Sequence, residues 1–221
     1  MHELYVAPRL VSARGWELVR DAERGGVPVI EVDAAALASL DPGRRADGLI
    51  ATVERPCTAL SELAVPADAF VAVAVGIERP GNLGTIVRTA SAAGVDALLV
   101  SDPCTDLYHP DVVRGSIGTV FGLRTAIAET DEAMAWLRDR GMRLLATTPA
   151  GDKPYWEVEL DGPVALVFGS ERHGLPADWL RLADSRVAIP MPGSGDSLNV
   201  AVAAGVVLFE ATRRRSTPNR R

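Results

Sequence analysis

The chain has 221 residues, of which 48% are hydrophobic and 24% are charged, a composition typical of a globular protein with one large domain or two small ones. No apolar run approaches the ~18 residues of a membrane-spanning helix, and the first residues lack the basic and apolar stretches of a secretory signal, so we expect a cytoplasmic protein without membrane contacts. The net charge of −6 argues against indiscriminate phosphate binding, and two isolated cysteines indicate neither a disulfide framework nor a zinc site.

The first third of the sequence predicts a small α/β domain. Its strands are expected at residues 27–32 and 48–53, with a helix at 33–40 that Asp33 caps. Two prolines then flank a linker, which places a domain boundary near residues 56–68. We therefore expect an N-terminal domain over residues 1–66 and a second domain over residues 67–221.

The second domain alternates apolar strands with helices. Strands are predicted at residues 70–75, 97–100, 123–127, 143–148, 164–168 and 186–189, and helices at 82–93, 109–116, 131–140 (capped by Asp131) and 197–213. Near-continuous apolar strands separated by helices predict a parallel sheet sandwiched by helices, with ligands at the carboxyl ends of the strands. The sequence has no G-x-G-x-x-G after the first strand and no P-loop, which disfavours dinucleotide enzymes and NTPases.

Residues 78–90 follow the first of these strands and carry two candidate site residues. Asn82 can cap the following helix, and Arg88 is expected on its first turns, near the carboxyl edge of the sheet. A guanidinium group can bind phosphate or stabilise a developing oxyanion. The alternative interpretation is a well-capped helix with a surface arginine.

Two further segments carry candidate ligand-binding groups. Residues 168–176 (Phe-Gly-Ser-Glu-Arg-His-Gly-Leu-Pro) offer Gly169 for close approach and Glu171 as an acceptor, although a plain turn with a solvated glutamate is the alternative. Residues 189–199 read Ile-Pro-Met-Pro-Gly-Ser-Gly-Asp-Ser-Leu-Asn, in which Ser197 is expected at least to cap the last helix.

Taken together and in this order, the three segments resemble the SpoU (TrmH-type) family of the SPOUT methyltransferases, over roughly residues 48–213. The resemblance implies methyl transfer from S-adenosylmethionine, with S-adenosylhomocysteine as product and no metal, to a ribose 2'-hydroxyl of RNA. It also implies a C-terminal deep trefoil knot, a homodimer, and a ribosomal-protein-like N-terminal domain that recruits the substrate and is shortened here.

The same resemblance assigns roles to individual residues. The implied catalytic residues are Asn82, Arg88, Glu171, Ser197 and Asn199. The implied cofactor-binding residues are Thr147, Gly151, Leu166, Gly169, Ile189, Met191, Ser197 and Leu198. Family members often have Asn and Gly where this chain has Ser170 and Arg172, and Arg172 with His173 is either an RNA contact or simply exposed.

The alternatives concern the substrate, the activity and the C-terminus. 23S rRNA is the first choice of substrate and tRNA the second; a non-catalytic RNA-binding or assembly protein on the same scaffold is a different class of interpretation. The final arginines are either a solvated tail or a flexible phosphate contact; they are Arg213, Arg214, Arg215, Arg220 and Arg221. The last helix is apolar on nearly every side, which favours burial all round, inside the knot and a dimer interface.

Overall fold

A computed structural model of the chain describes residues 1–40 and 47–216. The chain forms two compact units, Met1–Pro56 and Cys57–Arg221. This division falls at the beginning of the stretch 56–68 in which a boundary was predicted, before the expected end of the first domain at residue 66.

The first unit is built on a three-stranded sheet with the order β2-β1-β3. Its elements are β1 (Glu3–Val6), α1 (Ala13–Arg24), β2 (Val29–Glu31), α2 (Ala34–Leu40) and β3 (Leu49–Thr52). Strand β1 runs parallel to β2 and antiparallel to β3. Leu4, Val6 and Val19 form the core between β1 and α1. Strand β1 and helix α1 had not been predicted individually, whereas Asp33 accepts a hydrogen bond from the Ala36 amide at 2.7 Å, as expected of a cap.

The second unit is built on a seven-stranded sheet with the order β6-β5-β4-β9-β7-β10-β8. Its strands are β4 (Phe70–Val75), β5 (Ala97–Ser101), β6 (Thr125–Ala128), β7 (Arg143–Thr147), β8 (Lys153–Pro154), β9 (Val164–Phe168) and β10 (Ser185–Ala188). Its helices are α3 (Pro80–Ala92), α4 (Pro110–Gly115), α5 (Thr130–Asp139), α6 (Ala177–Leu182) and α7 (Val200–Ser216). All strand pairs of this sheet are parallel, which confirms the predicted parallel α/β architecture.

Alternate residues of the central strand β4 enter two separate cores. Ala72 and Ala74 pack with α3, α4 and α7 on one face, while Val71 and Val73 pack with α5 and α6 on the other. Because both faces are covered, every residue of β4 is buried, and the strand reads as one apolar run.

Three predicted helix caps are wrong. Arg79 is the N-cap of α3, so Asn82 lies inside the first turn, and Glu129 rather than Asp131 precedes α5. Helix α7 begins at Val200, and its free amides are bound by Asn199 rather than by Ser197. Neither Arg79 nor Glu129 makes a side-chain capping hydrogen bond, and the Asn82 side chain instead donates to Glu171, a tertiary contact that the local sequence does not specify. The short elements β8 and α6 had not been predicted.

Helices α3 and α4 approach each other closely at Gly84. A Cβ atom at this position would lie 2.6 Å from the carbonyl oxygen of Val112 and 3.1 Å from the Cα of Gly115. Only glycine therefore allows this packing, which holds the start of α3 in place.

Helix α7 is not buried all round within a single chain; the prediction also placed it in a dimer interface, and that burial stays a prediction. Ala204, Leu208 and Ala211 are buried, but 53% of Val202 and 51% of Phe209 are exposed. The helix therefore presents one apolar stripe to its surroundings. No helix within residues 1–40 or 47–216 has both the length and the apolar composition needed to cross a membrane.

The arginines at the end of α7 are engaged with the protein itself. Arg214 donates hydrogen bonds to two backbone carbonyl groups and Arg215 donates to three. The acceptors are the carbonyl oxygens of Trp156 and Val158 for Arg214, and of Leu160, Gly162 and Asp68 for Arg215, at 2.6–3.0 Å. Arg213 pairs with Glu210. Neither predicted interpretation, a solvated tail or a free phosphate contact, holds for Arg214 and Arg215, whereas 67% of the Arg213 side chain is exposed. Arg220 and Arg221 lie outside the described residues.

Candidate functional site

A cleft of about 690 Å³ opens in the second unit, where β7, β9 and β10 end. It is lined by the loops that follow these strands and by the beginning of α7. Of the residues predicted for the site, Thr147, Gly169, Glu171, Ile189, Met191, Ser197, Leu198 and Asn199 line the cleft. Segments far apart in sequence therefore meet at the carboxyl edge of a parallel sheet, where α/β proteins bind their ligands.

Four predicted site residues are not among those that line the cleft; they are Asn82, Arg88, Gly151 and Leu166. Leu166 is fully buried in the middle of β9. A Cβ atom on Gly151 would lie 2.4 Å from the backbone of Val187, so this glycine serves the close approach of a loop to β10. Arg88 is exposed on the third turn of α3 and is not among the residues that line the cleft, which corrects the expectation that it lies on the first turns.

Gly169 is required by the protein's own backbone. A Cβ atom here would lie 2.3 Å from the carbonyl carbon of Gly174, because the loop folds back against β9. Ser170 and Gly174 exchange two backbone hydrogen bonds of 3.0 Å each, which close a tight turn. Glu171 is carried at a fixed position on this turn.

Glu171 connects the turn to the beginning of α3. One carboxylate oxygen accepts a hydrogen bond of 2.5 Å from Asn82 Nδ2 and a longer one of 3.4 Å from the Arg79 amide. The other oxygen accepts the Glu78 amide at 3.2 Å. A carboxylate that is bound at a helix N-terminus also interacts favourably with the helix dipole.

Asn82 also connects the turn to the beginning of α7. Its Oδ1 accepts a hydrogen bond of 3.1 Å from Asn199 Nδ2. Asn199 Oδ1 in turn accepts the amides of Ala201 and Val202, at 3.0 and 3.4 Å, and so caps the helix. The carboxylate at one end and the helix amides at the other leave one orientation for each side-chain amide. The three predicted segments thus form one hydrogen-bonded network.

The network holds the pKa of Glu171 below its ordinary value. Partial burial by itself would raise the pKa, but the hydrogen bonds from Asn82 and from the backbone amides of Glu78, Arg79 and Glu171 outweigh it. The carboxylate is therefore ionised at neutral pH and, with several donors already bound, is a weak base. Its chemistry suits an anionic anchor better than a proton acceptor.

The cleft fits a nucleoside-containing cofactor. The hydroxyl oxygen of Thr147 is buried without a hydrogen-bond partner within the described residues, and this residue lines the cleft. A buried hydroxyl group that lacks a partner is costly, so it suits a ligand that completes its hydrogen bonding. Ile189, Met191 and Leu198 add apolar surface, and a volume of this size is typical of small-molecule sites. These residues therefore fit S-adenosylmethionine.

Arg79, Arg172, His173 and Asp196 also line the cleft. The sequence assigned no site role to Arg79 or Asp196, and it gave two alternatives for Arg172 and His173, an RNA contact or simple exposure. The sequence signal for these four residues was their position within or next to the three segments, because loops that hold a ligand present several side chains to it. Within residues 1–40 and 47–216, no group of three or more His, Cys, Asp or Glu residues is placed to hold a metal ion.

Known proteins resemble the chain in sequence and in fold. The 23S rRNA (guanosine-2'-O-)-methyltransferase RlmB of Ralstonia nicotianae is 30% identical, over 97% of this chain and 88% of that protein. The 23S rRNA (uridine(2479)-2'-O)-methyltransferase of Streptomyces viridochromogenes is 35% identical over 76% of this chain and 60% of that protein. The chain spans less than two thirds of the length of several curated relatives, the Streptomyces protein among them.

A solved structure has the same fold. The SpoU methyltransferase AviRb from Streptomyces viridochromogenes, in complex with the cofactor AdoMet, superposes with a TM-score of 0.84 at 31% identity, over 96% of this chain and 82% of that one. The model of the SpoU rRNA Methylase family matches residues 69–209, which contain all three segments. The chain therefore belongs to the SpoU rRNA methylase family, as the three segments had predicted.

Proposed function

We propose that this protein transfers a methyl group from S-adenosylmethionine to a ribose 2'-hydroxyl of RNA, with 23S rRNA as the substrate. The network of Glu171, Asn82 and Asn199 carries the proposal, because it joins the three segments at the edge of a cleft that fits the cofactor. Family membership and the 23S rRNA activity of the curated relatives support the same reaction. The proposed reaction is consistent with the predicted cytoplasmic location.

The bound cofactor would supply an electrophilic methyl group, and the chain's own residues would hold the reactants in line. The Thr147 hydroxyl would bind the cofactor, and the backbone near Ile189, Met191 and Leu198 would enclose its adenosine. Ionised Glu171 would fix Asn82 and Asn199 beside the reacting groups. This arrangement would raise the rate mainly through orientation and exclusion of water.

Arg88 is the proposed group that stabilises the ribose oxygen as it loses its proton. A guanidinium group remains protonated at neutral pH, so it acts through its charge and not as a base. The proton acceptor can then be a phosphate of the RNA itself, which Arg88 would orient. Arg88 is exposed but does not line the cleft of its own chain, so the proposal requires that RNA binding or the proposed dimer bring it to the reacting ribose.

We also propose a homodimer formed through α3 and α7. These helices pack against each other where Gly205 faces Thr89, and each leaves a stripe exposed. Val202 and Phe209 make the α7 stripe apolar, and contiguous apolar surface of this kind is usually covered by a partner. A second copy is the proposed partner, and Arg88 on α3 would lie beside this interface.

Two further features are proposed from family membership. The C-terminal part would be threaded as a deep trefoil knot, which is supported by the insertion of β9 between β4 and β7 and by the close crossing of Gly151 over β10. The first unit would recruit the RNA, as a domain separate from the cleft.

The reaction is tested with tritiated S-adenosylmethionine and separate pools of unmodified rRNA and tRNA. We expect label in 23S rRNA, and a loss of about 100-fold or more in Arg88→Ala, because a lost transition-state contact of this kind costs about 3 kcal/mol. Arg138→Ala, which removes an exposed arginine from α5, is the matched control and should keep full activity. Label in the tRNA pool alone would identify tRNA, and not 23S rRNA, as the substrate. The absence of label in both pools would contradict the proposed reaction.

A further inference from the structure

A group of basic side chains lies at the mouth of the cleft. Arg79, Arg172 and His173 all line it, and all three are exposed, whereas the apolar groups Phe168 and Leu175 lie in its buried part. Within the described residues, the side chains of Arg79 and His173 have no hydrogen-bond or ion-pair partner. Two exposed arginines therefore face the opening of the cleft in a protein whose net charge is −6, with the carboxylates of Glu78 and Glu171 beside them.

The protein backbone fixes the positions of these basic side chains. Arg172 and His173 sit on the turn closed by Ser170 and Gly174, and the amide of His173 also donates to Ser170 Oγ at 3.1 Å. Arg79 is the N-cap of α3, and its amide is bound by Glu171 from the same turn. The Glu171 carboxylate thus sets the spacing between Arg79 and the turn.

Arg172 is only weakly held by its present partner. Its Nε lies 3.6 Å from Glu78 Oε2, and 75% of the Arg172 side chain is exposed. An exposed ion pair at this distance contributes little to stability, so a stronger anion can replace the carboxylate. Arginine binds phosphate with two donors in a fixed geometry, which makes phosphate such an anion.

We propose that Arg79, Arg172 and His173, called here the cationic rim, bind the phosphate backbone of the RNA beside the target ribose. This inference rests on the proposed function. Phosphate is favoured over the carboxylate of the cofactor because the three basic side chains lie at the exposed mouth, in front of the buried part of the cleft. Asp196, on the loop after β10, is a further carboxylate in the lining.

The test measures binding of a 23S rRNA transcript by the full chain at saturating S-adenosylhomocysteine, between ~50 and ~200 mM salt. Arg79→Gln and Arg172→Gln should each weaken binding about three- to tenfold and lower the slope of log K against log salt by about one. Arg138→Gln, on α5, is the matched control for the loss of one exposed positive charge. The affinity for S-adenosylhomocysteine is measured separately for each variant.

Glu78→Gln separates a phosphate contact from a structural ion pair. If Arg172 binds phosphate, removing its competing carboxylate should leave RNA binding equal or tighter. If the pair only holds the loops together, Glu78→Gln should weaken RNA binding as Arg172→Gln does, and this would overturn the inference.

Two further results would also overturn it. In the first, the rim variants bind RNA as tightly as Arg138→Gln while the unaltered chain methylates RNA. The proposed function would then stand, but the proposed role of the cationic rim in phosphate binding would be wrong. In the second, the rim variants lose affinity for S-adenosylhomocysteine alone, which would assign the basic side chains to the carboxylate of the cofactor. An unaltered chain that neither binds nor methylates RNA would contradict both the proposed function and the proposed role of the cationic rim.

Discussion

Asn82 and Asn199 each use both ends of the side-chain amide. Asn82 donates to Glu171 and accepts from Asn199, which itself accepts two helix amides. The direction of every hydrogen bond is therefore set by the carboxylate at one end and by α7 at the other. An aspartate in place of Asn82 would face Glu171 with a second negative charge.

The ionised state of Glu171 should make the stability of the protein depend on pH. Because folding lowers the pKa of Glu171 below its ordinary value of 4.5, the ionised carboxylate stabilises the folded state above that value. This contribution is lost as the pH falls through the lower folded-state pKa. Glu171→Gln should cost about 1 kcal/mol of unfolding free energy at pH 7, and its difference from the unaltered chain should shrink below pH 4.5.

Urea unfolding at a series of pH values provides the measurement. Glu157→Gln is the matched control, since Glu157 is exposed and should show no such pH-dependent difference. A difference between Glu171→Gln and the unaltered chain that grows towards acid pH would show that the folded-state pKa is raised.

Most of the residues that meet at the cleft could be predicted from the sequence, but their partners could not. Glu171 and Asn199 stood out because polar groups and glycines followed apolar strands. Asn82 and Asn199 are 117 positions apart, and nothing in either segment specifies that distance or the direction of the bond. Leu166 and Gly151 belong to the same segments, yet one fills the core and the other allows a backbone crossing.

At the scale of the elements, α7 is held at both ends. Asn199 caps its beginning, and Arg214 and Arg215 bind the carbonyl groups of the loop before β9 at its end. The guanidinium carbon of Arg215 also lies 5.4 Å from the centre of the ring of Phe70, which is the first residue of β4. The last turn of α7 is thereby attached to the centre of the sheet.

Arg215→Gln should therefore destabilise the second unit. It removes charge-assisted hydrogen bonds to Leu160, Gly162 and Asp68, so we expect a loss of about 2–3 kcal/mol in unfolding free energy. Arg213→Gln is the matched control on the same turn; its side chain pairs with Glu210 at the surface, and its loss should be much smaller. Equal losses in the two variants, measured by urea unfolding, would contradict a specific role for Arg215.

At the scale of the whole molecule, the exposed stripe on α7 bears on the oligomeric state. Phe209→Asp should convert the proposed dimer into a monomer, because a carboxylate would be buried at a tight apolar interface. Light scattering at micromolar concentration should give twice the chain mass for the unaltered protein and a single chain mass for the variant. Phe121→Asp, at an exposed aromatic outside α3 and α7, is the control and should remain dimeric. A monomeric unaltered chain would contradict the proposed interface.

The types of secondary-structure element and the segments that carry the chemistry could be predicted from the sequence. Strands such as 70–75 and 164–168 were read correctly because a parallel strand that is covered on both faces must be apolar throughout. The family could be read because a cofactor site needs particular residues at fixed spacing along short loops.

The order of the strands, the helix caps and the partners of the arginines depend on tertiary contacts. Two C-terminal arginines that read as a basic tail are bound to backbone carbonyls, while Arg79 and Arg172 remain at the mouth of the cleft. The physical reason is that a charged side chain takes whichever acceptor the fold brings within reach. In this protein those acceptors lie more than 50 positions away along the chain.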